Sequence, residues 1–261
     1  MTISRRLFLA VAPAAPLSFR AVSDFGAGQS APVLPPQFPS HEPDTAREMV
    51  GVSHGNVARV RALLANRPAL ANATWDWGFG DWETALGAAS HVGNREIAAM
   101  LLAAGARPTL FSAAMLGQLD VVKAFVAAHQ GVQRIRGPHG ITLMAHARAG
   151  GAADVVRYLE SVDGSDVPYR NEPFDAASRT ACLGTYAFGP LPQDRFIVSE
   201  TDRGVLLIRR DGAADRNLFH LGGRVFHPPG AEAVRIRFAP GAPVPSVSVE
   251  DGPVAVTATR M

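Results

Sequence analysis

Asp81-Trp-Glu-Thr-Ala-Leu-Gly-Ala-Ala-Ser-His-Val-Gly-Asn-Arg-Glu-Ile-Ala-Ala-Met-Leu-Leu-Ala-Ala-Gly-Ala-Arg-Pro-Thr109 reads as helix, glycine turn, helix, and its spacing of Leu86, Ala89, Gly93, Ala98, Leu101 and Leu102 recurs on both sides of it. The copies centre on Gly55, Gly93, Gly117 and Gly151. Four residues before each glycine stands a small residue, Gly51, Ala89, Ala113 or Ala147, where two helices approach most closely. Five residues after come Val60, Ala98, Val122 and Val156, and eight after come Leu63, Leu101, Phe125 and Leu159, lining a second helix. Leu86, Leu110 and Met144 fill the buried face of the first helix, where the first copy has Glu48, as suits an exposed end repeat.

A helix-turn-helix unit of this kind cannot cover its own apolar stripe, so successive units must stack into one continuous core. The pattern resembles the ankyrin repeat over roughly residues 43–164. Glu83-Thr84-Ala85-Leu86 and Gly140-Ile141-Thr142-Leu143-Met144 stand where that family opens its first helix, and Leu101-Leu102-Ala103-Ala104-Gly105-Ala106 is similar to its helix-ending run. The resemblance implies a binding scaffold with a finger between successive units; surface residues, not the fold, set the ligand. Against a period of about 33 residues, the first joint is enlarged. The second, with only Ala106-Arg107-Pro108-Thr109 between Gly105 and Leu110, has no room for a hairpin finger. The third, from Gly131 to Thr142, is near normal and turns at Gly137-Pro138-His139-Gly140.

All three tryptophans, Trp75, Trp77 and Trp82, fall in the enlarged first finger, interleaved with Asp76, Phe79, Asp81 and Glu83. Two roles are open for these rings. They fold over the gap left by the missing second finger, or they present a contact surface on which the carboxylates set orientation. Phe79, between two glycines, is expected to be the most exposed ring.

Beyond a linker over 165–181 the period changes from helical to alternating. Val234, Ile236 and Phe238 share one strand face and Arg235 and Arg237 the other; Val247 and Val249 alternate with serines, and Val254, Val256 and Ala258 alternate through the last strand. Turns at Asp202-Arg203-Gly204, Asp211-Gly212, Gly222-Gly223 and Asp251-Gly252 separate about eight short strands, an antiparallel meander closing into a barrel or sandwich over 182–261. This segment resembles a β-barrel module that forms the tail of penicillin-recognising serine hydrolases, on the strength of Leu183-Gly184-Thr185-Tyr186, Phe226 and Phe238. No Ser-x-x-Lys is possible, because Asp120 stands three residues before the only lysine, Lys123. The expected class is therefore α + β in two domains, about four ankyrin-like repeats (44–164) followed by the β-rich domain.

Ser4-Arg5-Arg6-Leu7-Phe8-Leu9 and the short apolar run after it resemble a twin-arginine export signal over 1–31, followed by a proline-rich lead-in over 32–43. This implies a periplasmic or secreted protein with no stable membrane span after cleavage. A formal charge of +2 from 25 basic and 23 acidic residues, without a basic run, gives no nucleic-acid signal. The single cysteine, Cys182, excludes an intramolecular disulfide and a cysteine-based zinc site, and reads as a small buried hydrophobe.

The His-Glu-x-x-His zinc pattern is absent. The leading expectation is a noncatalytic scaffold without cofactor or metal, binding a protein partner through Trp75, Trp77, Phe79, Asp81, Trp82 and Glu83, with His139 at the neighbouring tip. The alternative is a metal-dependent enzyme or small-molecule binder in which His139 and His146 join Asp81 and Glu83 across the missing finger, since imidazole and carboxylate together suit divalent ions. His54 and His91, beside the helix turns, are read as residues that bond loop carbonyls and receive no functional role.

Overall fold

The computed structural model describes residues 36–261, so the expected export signal and the start of the lead-in lie outside the described residues. Helix pairs form at each of the four turn glycines. They are α1 (Pro43–Val52) with α2 (Val57–Asn66), α3 (Ala85–His91) with α4 (Arg95–Ala103), α5 (Leu110–Leu116) with α6 (Leu119–Ala128), and α7 (Leu143–Ala149) with α8 (Ala153–Glu160). The first helices of the last three pairs all start on a threonine. The hydroxyls of Thr84, Thr109 and Thr142 accept the backbone N–H groups of Gly87, Ser112 and Ala145 at 2.9, 3.1 and 3.1 Å. Asn56 and Asn94 do the same for α2 and α4. Each such cap contributes about 1 kcal/mol.

The interior follows the repeat. Leu86, Ala89, Ala98, Leu101, Leu110, Ala113, Val122, Met144, Ala147 and Leu159 are all buried. Two positions depart from it. On α8 it is Val155, one turn before Leu159, that faces inward, leaving Val156 half-buried. Phe125 is 40% exposed beside His129, because α6 buries only Val122 and Phe125 lies on its outward flank. The stack closes tightly at Gly150, where an added Cβ would stand 1.9 Å from the Met115 carbonyl oxygen. Gly150→Ala is expected to cost about 2–3 kcal/mol, toward the top of the range for overpacking, read as a lowered midpoint in urea unfolding.

The enlarged first joint is an antiparallel hairpin of β1 (Thr74–Asp76) and β2 (Trp82–Thr84), with Trp75 opposite Glu83. The second joint carries no strand, and the third turns through short 3-10 segments at Val132–Arg134 and Pro138–Gly140. Inside the expected linker lies a helix that periodicity alone does not reveal, α9 (Ala176–Cys182), capped by Asp175 accepting from the Ser178 N–H.

Nine strands follow: β3 (Gly184–Ala187), β4 (Arg195–Glu200), β5 (Leu206–Arg210), β6 (Arg216–Asn217), β7 (Phe219–Gly222), β8 (Val225–His227), β9 (Arg235–Phe238), β10 (Ser246–Asp251) and β11 (Val254–Arg260). The strand expected near Asn217 to Leu221 is split at Leu218 into β6 and β7. The sheet order is β6-β5-β4-β3-β11-β10-β9-β8-β7, antiparallel throughout. The first strand pairs with the last, and the two edge strands are joined through the single residue Leu218. A sheet whose edges are neighbours in the chain has to curl, and it forms a nearly closed barrel. Val234, Ile236, Phe238, Val247 and Val249 fill it, as the alternation requires. Val254 does not, being 57% exposed at the start of β11. Cys182 is fully buried against this core, and burial pushes its thiol up to about 11.

The finger joins the two halves. Gly78, Phe79 and Gly80 all adopt positive φ, and the Asp76 carboxylate holds the turn by accepting the N–H groups of Gly78 and Gly80. Phe79 is thereby turned against the barrel core instead of into solvent, and Trp82, 62% exposed, is the exposed ring. Trp75 and Trp77 pack half-buried on the core of the first helices. Of the two roles open to the rings, packing accounts for three of the four.

Candidate metal centre

Four ligating groups converge where the finger, the third joint and the ends of the first two helix pairs meet. One ligand atom from each of His54, Glu83, His91 and His139 lies within 4.8 Å of every other. The Nε2 atoms of His54 and His91 are 3.1 Å apart. The Glu83 carboxylate lies 3.0 Å from His91 Nε2, 3.4 Å from His139 Nε2 and 3.6 Å from His54 Nε2. Bonds of about 2.0–2.1 Å to one central ion set ligand atoms roughly 3.3 Å apart in a tetrahedron, and about 2.9 Å apart in an octahedron. The spacings of 3.0–3.6 Å lie close to these values.

Two of the three imidazoles are aimed from behind. His54 Nδ1 donates to the Gly51 carbonyl at 3.0 Å, which leaves Nε2 unprotonated in the neutral ring. His139 is bound at both ends by one carboxylate: its N–H donates to Asp81 Oδ1 at 2.8 Å, and its Nδ1 donates to Asp81 Oδ2 at 2.7 Å. This carboxylate–imidazole pairing is the arrangement that orients metal-ligating histidines. His139 also holds φ at 58°, a left-handed conformation that costs a non-glycine residue about 1–2 kcal/mol and is found where a side chain must be aimed. Asp81 in turn pairs with Arg216 of β6, 2.5 Å away, so the barrel braces the ring from a third layer. Gly230 of the barrel packs so closely on Asp81 that a Cβ there would lie 2.4 Å from Oδ1.

Glu83 is completely buried. One oxygen accepts the Trp77 indole N–H at 2.7 Å, and the other, Oε1, faces His91 Nε2 at 3.0 Å. A fully buried carboxylate is costly unless its charge is met, and an ion between the three rings would meet it. Burial would raise the Glu83 pKa, but the hydrogen bonds from His139 and His91 outweigh it and hold it at about 2. Burial likewise opposes the charge on His139, yet its bonds to Asp81 and Glu83 raise it to about 9. Asp81, desolvated but bonded twice by His139 and facing Arg216, is kept below the usual carboxylate range. A proton on His139 thus offsets the charge of these carboxylates.

Above the rings is a cleft of about 290 Å³, walled by His54, Trp77 and His139 on one side and by Asp215, Arg216, Asn217 and Pro229 on the other. No family model matches the chain, and no curated protein does. The reading of this site therefore rests on its geometry.

The expected cluster of His139, His146, Asp81 and Glu83 is half realised. His139 does meet Asp81 and Glu83 across the missing finger. His146 stays outside the ligand group; it is fully buried, its Nδ1 donates to the Thr142 carbonyl at 2.8 Å, and its ring lies against Phe111. Burial lowers its pKa to about 4. The unfolded chain therefore takes up this proton first, so His146's contribution is complete above pH 6.5 and is lost as pH falls from 6.5 toward 4, by about 3 kcal/mol. Urea titrations should show that loss in the native sequence and a flatter profile in His146→Gln.

His54 and His91 were missed as ligands. His54 Nδ1 does bond a backbone carbonyl, but that of Gly51 in the last turn of α1 and not of a loop, and the loop-carbonyl reading overlooks the other nitrogen. Their signal is positional: they stand one residue before Gly55 and two before Gly93 in adjacent copies, so stacking places them side by side. Of the residues assigned to a partner-binding surface, Asp81 and Glu83 are instead interior, Trp77 and His139 border the cleft, and Trp82 alone is fully presented to solvent.

Proposed function

We propose that the protein is a metalloprotein whose working centre is a divalent transition-metal site made by His54, Glu83, His91 and His139, with the cleft above it receiving a small molecule. The observation that carries this reading is the convergence of three imidazole Nε2 atoms on a fully buried carboxylate, all within 4.8 Å. Three neutral imidazoles and one carboxylate suit manganese, iron, cobalt, nickel or zinc, not calcium or magnesium. Four protein ligands would close a tetrahedral site, whereas an ion that takes five or six keeps positions toward the cleft. In this reading the helices are an ankyrin-type stack used as a frame for ligands, and the barrel is the second wall. Export as a folded protein, as Arg5-Arg6 implies, would let the centre be filled before transport.

The test is reconstitution. Chelator-treated protein dialysed against manganese, iron(II) under exclusion of air, cobalt, nickel or zinc, with excess removed, should retain one equivalent of at least one of them by elemental analysis. Retention of none overturns the reading.

A second reading, a protein partner gripping the finger, is supported by the exposure of Trp82. It separates cleanly from the first, since Trp82→Ala would abolish partner binding without changing metal content. Phe79→Ala would instead lower stability by about 1–3 kcal/mol through its packing on the barrel.

A further inference from the structure

Arg216 is 7% exposed and lines the cleft beside His54 and His139. One end of its guanidinium pairs with Asp81, another N–H group donates to the Pro229 carbonyl, and Nε has no acceptor among the described residues. A buried guanidinium N–H without an acceptor is expensive, and this one belongs to a residue shared by the cleft wall and the brace of the metal ligands. The charges fix what belongs there. A divalent ion and Arg216 together carry three positive charges against the two negative charges of Glu83 and Asp81, leaving one in excess. Asp215, the other charged group on this wall, lies 3.8 Å from Arg209 and opposes a dianion. Trp77 and Pro229 add flat apolar faces, and Ala214 and Asn217 complete the wall. The volume of about 290 Å³ is at the small end for ligand sites, about 300–1,000 Å³.

We infer that the cleft takes a small monocarboxylate, one carboxylate oxygen completing the metal's coordination while the group accepts a hydrogen bond from Arg216, with the organic body against Trp77. This rests on the metal reading above and adds the ligand class to it. Arginine is the cation best suited to a carboxylate in a confined site, because its N–H groups are fixed in one plane.

The experiment loads the full chain with cobalt(II), whose visible spectrum reports its coordination, and titrates it with acetate, benzoate and inorganic phosphate. Saturable spectral changes with the two carboxylates, and weaker ones with phosphate, are expected. Arg216→Lys keeps a positive charge beside Asp81 but removes Nε; it should weaken carboxylate binding about tenfold, the equivalent of roughly 1.4 kcal/mol, read from changes in its own cobalt spectrum. Asp215→Asn, at an exposed residue, should fold normally and tighten binding. If the cobalt spectrum forms but no carboxylate alters it, or phosphate binds as well as carboxylate, the inference is overturned and the metal reading stands. If no cobalt spectrum forms, the metal reading itself fails.

Discussion

Glu83→Gln is expected to abolish tight metal binding while leaving the helical stack folded. Gln has nearly the same shape and still offers Trp77 a carbonyl to donate to, so the packing around the 2.7 Å bond is preserved. What disappears is the only negative charge among the four ligating groups. Affinity should fall by more than about 100-fold, beyond the 10–100-fold typical of losing an outer partner of a ligand. Thermal shifts show it directly. At a metal concentration about 100 times the dissociation constant, binding stabilises the native protein by about 2.7 kcal/mol, a rise in Tm of roughly 5–10 °C for a chain of this size. Glu83→Gln should shift by less than about 2 °C at the same concentration. An equal shift in both proteins would mean that the ion, if any, binds elsewhere.

Asp81→Ala should be more damaging still, and for two separable reasons. It leaves the Arg216 guanidinium buried without its carboxylate, a change that costs about 3–5 kcal/mol when one partner of an interior pair is removed. It also frees His139 from both of its bonds to Asp81, which should lower metal affinity by about 10–100-fold. The double variant Asp81→Ala/Arg216→Met tells the two apart. Replacing the stranded charge by an apolar side chain of similar length should restore much of the stability but none of the metal affinity, since nothing then orients His139. Urea unfolding and metal titration on the same samples read both quantities. A loss of stability under about 1 kcal/mol in the single variant would show that the pair is not the brace between stack and barrel.

The helical half was legible because its register is periodic. Small residues at Ala89, Ala113 and Ala147, with leucines and valines at fixed offsets, admit only one pairing of helices, and the departures at Phe125 and Val156 are single residues. The barrel strands were legible from alternation, and so was their closing into a barrel or sandwich; the pairing that closes the sheet was not, since it depends on β3 meeting β11 and on the break at Leu218, neither of which leaves a local mark. The meeting of His139 with Asp81 and Glu83 followed from the missing second finger. The roles of His54 and His91 required treating two turn residues in adjacent copies as neighbours in space. Arg216 had no signal at all, because it arrives from more than a hundred residues away and only the docking of the barrel brings it to Asp81. Phe79 shows the same effect in reverse: flanking glycines suggest a free tip, and the barrel supplies the surface it packs on.

The most direct test of the account is X-ray absorption at the metal edge of the reconstituted protein, compared with His54→Ala and His91→Ala. The account expects three imidazole nitrogens and one carboxylate oxygen at about 2.0–2.2 Å, with one imidazole fewer in each variant. A bound ion whose shell is unchanged by either substitution, or a shell without imidazole, would contradict it.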